Sequence, residues 1–260
     1  LGLSYVVRSL SQALRELSWA ASSRLGYELE AGFQMDLACE YEGMRLISVH
    51  CQEYPVALKR LDQRPAGLYL RGQFLAEDER AVAVVGTRSP SRYGLERARR
   101  LALLLARERV TVVSGLARGI DTAAHSACLA AGGRTVAVLG CGLLHCYPPE
   151  NAGLLGQVSV AVSQFDPDFR PRRWAFPARN RLIAGLAGVS VAVECGPESG
   201  TMSELNWALR LGRRVALPES LVLSQAWARQ WADQGKAVVL RNEAEILSLV
   251  GEIPAVGDSG

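Results

Sequence analysis

From residue 81 onward the chain alternates short apolar runs with amphipathic stretches. Residues 81–85 read Ala-Val-Ala-Val-Val, a run short enough and β-branched enough for a buried strand. Residues 95–108 place Leu95, Ala98, Leu101, Ala102 and Leu105 on one helical face. The same alternation predicts strands at 110–113, 135–139, 158–162, 189–194, 215–217 and 237–240. It predicts helices at 120–131, 202–211, 221–234 and 243–250. Gly132-Gly133 and Gly212 fall where two of these helices should close in a left-handed residue. Strands and helices in alternation mean an α/β fold, with a mostly parallel, doubly wound sheet covered on both faces.

The first 80 residues differ. Leu10, Leu14, Leu17 and Ala20 sit at helical spacing, so an initial helix is expected. Residues 21–50 show no clear period, and 54–72 look like an extended lead-in to the sheet. The expected organisation is a small N-terminal helical segment at 1–50, a main domain at 51–250 and a tail at 251–260.

Composition narrows the function classes. Apolar residues make up 49% of the chain and charged residues 21%, which is ordinary for a soluble globular protein. No apolar run reaches the roughly 18 residues that a membrane span needs, and no basic stretch followed by an apolar core suggests secretion. No membrane association and a cytoplasmic location are therefore expected. The chain does not start with Met, so it reads as a fragment or a processed form. Cys39, Cys51, Cys128, Cys141, Cys146 and Cys195 follow no disulfide framework and read as reduced thiols. Cys141, His145 and Cys146 lie close together but lack a second ligand pair, so no metal is expected. Net charge is only +3, yet all but Lys59 and Lys236 of the 29 basic residues are arginine. Base bias can skew a whole composition; local clustering says more. Arg170, Arg172, Arg173, Arg179 and Arg181 crowd one stretch, and no acid occurs from Phe169 to Val193.

The candidate chemistry lies in loops after the strands, where such sheets place their ligands. Gly86-Thr87-Arg88 lacks the further glycines of a dinucleotide loop, and no Gly-Lys-Ser/Thr follows. ATP and NAD are thus disfavoured, and no cofactor is expected. Gly86 would let backbone approach a phosphate and Arg88 would bind it; an ordinary turn is the alternative. Ser114, Gly115 and Arg118 line the second loop. Asp121 and His125 behind it share a helix face and read as local capping and packing, or as an acid–base pair without a nucleophile. Arg179-Asn180-Arg181 precedes an apolar helix face of Leu182, Ile183 and Leu186. Ser199, Gly200 and Thr201 open the next helix, where they can cap it or hold a phosphate. Glu204 can complete a capping box.

Taken together these residues resemble the DprA (Smf) family of DNA-processing proteins over roughly residues 54–250. The resemblance rests on Val85-Gly86-Thr87-Arg88 with Tyr93-Gly94, and on Ser114-Gly115-Leu116-Ala117-Arg118-Gly119-Ile120-Asp121 with Ala124-His125. It rests also on Leu139-Gly140 with Tyr147-Pro148 and Asn151, and on Phe176-Pro177-Ala178-Arg179-Asn180-Arg181. It implies an extended Rossmann-like domain, usually a homodimer, that binds single-stranded DNA and helps load the RecA recombinase in natural transformation. It implies that Arg88, Arg118, Arg179 and Arg181 line a phosphate groove, with Gly86, Thr87, Ser114, Gly115, Asn180, Ser199, Gly200 and Thr201 beside them. No catalytic residue is implied. Gly200-Thr201-Met202-Ser203-Glu204 departs from the family pattern toward the lysine-decarboxylase-like (LOG) nucleotide hydrolases. Two alternatives therefore stay open: a nucleotide-binding sensor, and a nucleoside-monophosphate phosphoribohydrolase with Glu204 as its carboxylate. Phe165, Phe169, Trp174 and Phe176 are candidate stacking groups near the arginines.

Overall fold

The computed structural model describes residues 39–41 and 43–253. The helix expected around residues 10–20 lies outside them. Among the described residues, ten strands form one sheet in the order β1-β2-β3-β7-β6-β5-β4-β8-β9-β10. The strands are β1 (Cys39–Tyr41), β2 (Met44–Ser48), β3 (Gly67–Gly72), β4 (Val82–Val85), β5 (Val112–Ser114), β6 (Thr135–Val138), β7 (Val160–Ser163), β8 (Val189–Ala192), β9 (Arg214–Pro218) and β10 (Val238–Leu240). From β7 to β10 every pairing is parallel; β1, β2 and β3 add antiparallel strands at one edge.

The alternation of side chains along β4 divides the core. Val82 and Val84 point to a face covered by α2 (Arg92–Arg107), α3 (Ile120–Ala130) and α9 (Ile246–Gly251). Ala83 and Val85 point to the other face. That face is covered by α1 (Val56–Lys59), α5 (Ala175–Leu186), α6 (Gly200–Arg210), α7 (Glu219–Ser224) and α8 (Ala226–Asp233). A short α4 (Ala152–Leu155) closes a third cluster with Met44, Leu139 and Ala161. Strands buried on both sides favour apolar residues on both faces, which is why the central ones read as mostly apolar runs with only an occasional Ser or Thr. Among the described residues no helix is long and apolar enough to cross a membrane.

Four expectations change. The boundary at residue 51 cuts through the sheet, because β2 pairs with β3 and buries Met44 and Ile47. The lead-in at 54–72 is not wholly extended, since α1 interrupts it. The helix expected at 221–234 is two helices, α7 and α8, separated by Gln225 in an extended conformation. Arg179-Asn180-Arg181 does not precede its helix but lies inside α5, which starts at Ala175. Pro177 sits in the first turn of α5, where a missing N–H costs nothing.

Candidate nucleic-acid interface

The loops after β4, β5, β6 and β8 meet at the carboxyl ends of the central strands. Their shapes are fixed mostly by contacts with one another. A Cβ on Gly86 would run into Ile120 and the Glu194 carbonyl. Gly119 adopts a φ of 81° against the Thr87 carbonyl, a position only glycine fits easily. Leu116 also has a positive φ, 57°, although its side chain is fully buried. This unfavourable backbone is held from three sides. Gly115 and Ala117 N–H groups both donate to Asp121 Oδ2, at 3.1 and 3.2 Å, and Asn151 Nδ2 donates to the Leu116 carbonyl at 2.9 Å.

Several expected phosphate ligands are thereby occupied. The Gly115 N–H is taken by Asp121, and Ser114 is buried with its hydroxyl donating to the Val84 carbonyl at 2.7 Å. Asp121 is thus a loop cap. His125 packs in the core with Nδ1 2.6 Å from Thr135 Oγ1, and burial pulls it down to about 3, so it is a neutral imidazole at neutral pH.

Arg179 is the largest departure from the sequence reading. It is 4% exposed. Its Nη1 donates to the Gly115 carbonyl at 2.5 Å and also to the Val138 carbonyl, and its Nε donates to Asn180 Oδ1 at 3.2 Å. Burial lowers its affinity for a proton, and the nearby Asp121 carboxylate partly restores it. Arg179 therefore ties the ends of β5 and β6 together from beneath; it is a positioning residue, not a wall of a surface groove. Asn180, also buried, passes this order to α6 by donating from Nδ2 to the Gly200 carbonyl at 3.0 Å. Arg181 points elsewhere, half-buried between Gln63 and Gln164 at 3.0 and 3.2 Å. The four arginines expected in one groove are thus not brought together as a set: Arg88 lies near enough to oppose the charge of Arg179, Arg118 pairs with Glu150, and Arg181 points elsewhere.

Gly200 is exposed at the start of α6, whereas Thr201 is buried and Ser199 is partly so. Glu204 is 1% exposed; its Oε1 accepts from Ser190 Oγ at 2.6 Å. Burial pushes its carboxyl up to about 8, leaving it mostly neutral at pH 7. The group lies sealed between α6 and β8.

What remains open on the surface is a smaller set. Arg88 is exposed and its guanidinium lies 5.4 Å from the centre of the Phe176 ring. Tyr147 packs on the same ring at 5.3 Å and is 42% exposed. Trp174, 51% exposed, lies edge-on to Phe165 and Phe169 at 5.6 and 5.5 Å. Arg170, Arg172 and Arg173 are exposed, and none makes an ion pair with a described residue. Arg118 is exposed and paired with Glu150. Tyr147 was not among the aromatic residues singled out from the sequence, although an aromatic residue beside a proline in a strand-end loop was a usable signal for an exposed ring.

Residues 45–252 match the family described as DNA recombination-mediator protein A. The chain is 36% identical over 210 residues to protein Smf of Synechocystis sp., an alignment that covers 78% of this chain and 53% of that protein. The chain thus spans about half the length of that curated relative. The crystal structure of DNA processing protein A from Streptococcus pneumoniae superposes with a TM-score of 0.71 at 31% identity, covering 86% of this chain and 77% of that one. DNA processing protein A from Helicobacter pylori, described for its single-stranded DNA binding mode, superposes with a TM-score of 0.69 at 27% identity, covering 76% and 93%.

Proposed function

The chain belongs to the DNA recombination-mediator protein A family, and from that membership we propose that it binds single-stranded DNA along the carboxyl edge of its sheet. The observation that carries the reading is the Arg88–Phe176–Tyr147 cluster, with Arg170, Arg172 and Arg173 exposed a few residues before Phe176 in the chain. Exposed rings accept any base by stacking, and unpaired guanidinium groups accept backbone phosphates in a bidentate manner. Arg118 joins them once a phosphate displaces Glu150. Arg179, Asn180 and Asp121 hold the loops that present this surface.

Bound in this way, the protein would shield exposed strands and help load the RecA recombinase in the cytoplasm, acting as a homodimer. Support for these steps is family resemblance. Support for a binding role rather than hydrolysis is the burial of Glu204, the one carboxylate that the hydrolase reading had available.

The test is fluorescence anisotropy of labelled oligo-dT at two salt concentrations. Binding should weaken with salt, with a log–log slope of about −0.7 per phosphate contacted. Arg88→Ala should flatten that slope, and Phe176→Ala should weaken binding at every salt concentration. Binding indifferent to salt and to both substitutions would overturn the proposal.

A further inference from the structure

A cavity of about 360 Å³ opens beside this surface, between the ends of β4 and β8. It occupies the topological switch point of the sheet: β4 continues through α2 to β5 on one side, and β8 through α6 to β9 on the other. Doubly wound sheets leave a crevice there, and phosphates that enter it settle on the N-terminus of the helix after the first strand. Here that helix is α2. Its N-cap, Ser91, and Tyr93 in its first turn both line the cavity. The volume lies within the ~300–1,000 Å³ usual for ligand sites, enough to admit a phosphate with its sugar.

The place such a phosphate would take is filled by a side chain of the protein itself. Glu194 follows β8 and reaches the start of α2. Ser91 N–H donates to Glu194 Oε1 at 3.0 Å, and Ser91 Oγ donates to Oε2 at 2.6 Å. Both Ser91 donors are thus taken by one carboxylate. Gly94 makes room for it, since a Cβ there would strike Oε2. The Thr87 N–H, on the neighbouring rim, goes to the Glu194 carbonyl at 2.7 Å. Side chain and main chain of one residue therefore occupy the donors at this end of the crevice.

The rest of the lining does nothing to draw an anion in. Hydroxyls of Thr87, Ser89, Ser91, Ser220 and Ser224 surround Glu194, and no cationic residue lines the space. A phosphate placed there meets a fixed like charge in a partly enclosed site, where repulsion is stronger than in open water. Arg88, one residue from Thr87, is exposed, with its guanidinium beside the Phe176 ring. Positive charge thus lies outside the cavity and negative charge inside. A strand crossing the surface meets only the outer charge. A free nucleotide, small enough to enter, meets the inner one. Discrimination of this kind is built by repulsion rather than by added contacts.

We propose that Glu194 is a specificity residue: its carboxylate keeps free nucleotides and other small phosphate esters out of the crevice, and leaves phosphate binding to the exposed arginines. That division rests on the strand-binding reading above; the exclusion itself does not.

A carboxylate that only capped α2 would show its loss as lower stability. Exclusion shows it as a gain of binding. Thermal unfolding with thymidine monophosphate, at matched ionic strength, reads that gain in an Arg88→Ala background, which removes the surface cation. Glu194→Gln keeps the side-chain length and deletes the charge; Glu194→Asp keeps the charge. The Glu194→Gln protein should gain about 3–6 °C in Tm at ten times the dissociation constant of the nucleotide. Adding Ser224→Trp, which fills the mouth from an exposed position, should abolish the gain. Arg88→Ala alone, and Arg88→Ala with Glu194→Asp, should show none. No gain in the Glu194→Gln protein, an equal gain in either protein that keeps the carboxylate, or a gain that survives Ser224→Trp overturns the proposal. Anisotropy of dT12 with the wild type checks the strand-binding reading separately: absence of binding at low salt would remove that reading and leave the exclusion to stand or fall on the unfolding data.

Discussion

Replacing Arg179 separates a buried role from a surface one. Arg179→Met keeps much of the side-chain volume and deletes the charge. The substitution leaves the Gly115 and Val138 carbonyls without their shared donor and Asp121 without its nearest counter-charge. A buried acceptor left unpaired costs about 1–3 kcal/mol, so the two stranded carbonyls together cost about 3–5 kcal/mol. Burial already raises the Asp121 carboxyl above its ordinary value, with Arg179 opposing that rise. Loss of Arg179 therefore raises the Asp121 carboxyl further in the variant. For a chain of this size each kcal/mol moves Tm by about 2–4 °C, so a fall of roughly 6–20 °C is expected in calorimetry. In anisotropy at a temperature where the variant remains folded, the salt slope of oligo-dT binding should match the wild type. Arg88→Ala should show the reverse: an unchanged Tm and a flatter slope. An Arg179→Met protein with wild-type Tm and a slope flattened by one phosphate would refute the assignment of Arg179 to the interior.

Glu204→Gln should abolish a pH dependence. Burial holds the folded carboxyl at about 8, above an unfolded value of about 4.3. Its contribution to stability is therefore fully present below the unfolded value and is lost as pH rises through 8, at up to about 1.4 kcal/mol per pH unit. Urea titrations between about pH 7.5 and 8.5, where unfolded His125 is about nine-tenths neutral or more, should show this slope in wild type and not in the variant; equal slopes would contradict it. Asp78→Ala should cost about 3–5 kcal/mol, since Asp78 takes Arg134 Nε and Nη2 at 2.7 and 2.8 Å and Thr111 Oγ1 at 2.8 Å while 8% exposed; equilibrium unfolding in urea will show it. Phe176→Ala should weaken oligo-dT binding by about 1–3 kcal/mol with little change in Tm, and a Tm loss larger than the affinity loss would reassign the ring to packing.

The central parallel strands were legible because they are buried on both faces, so their runs are mostly apolar, broken only by small hydroxyl residues such as Thr135 and Ser190. The loops were legible as glycine-rich, but the partner of each glycine was not. Gly86, where the sequence suggested phosphate, admits a neighbouring loop, as does Gly119, and Gly94 admits a carboxylate. The fate of Arg179 follows from where α5 begins. A helix started at Ala175 puts Arg179 in phase with Leu182, Ile183 and Leu186, all buried; a helix started after Arg181 leaves it in a solvated turn. The arginine face was hidden by Pro177, which reads as a boundary yet is tolerated in a first turn. β1 and β2 escaped notice because an edge hairpin needs little apolar periodicity when its partners supply the rest. Glu194 was passed over because nothing in the run Val193-Glu194-Cys195 shows that Ser91, about a hundred residues earlier, holds its side chain.

The antiparallel attachment of β3 to β7 bears on how the protein is made. Gly72 pairs with Val160, and Tyr69 with Ser163, so β3 leaves the ribosome about 90 residues ahead of the strand that completes it. At the ~5–20 residues per second of synthesis, that gap is on the order of ten seconds. Through that interval the β2–β3 hairpin presents Leu68 and Leu70, both buried in the finished protein, together with one free row of backbone donors and acceptors. The nascent chain should therefore be most vulnerable to aggregation, and most attractive to chaperones, between the emergence of β3 and that of β7.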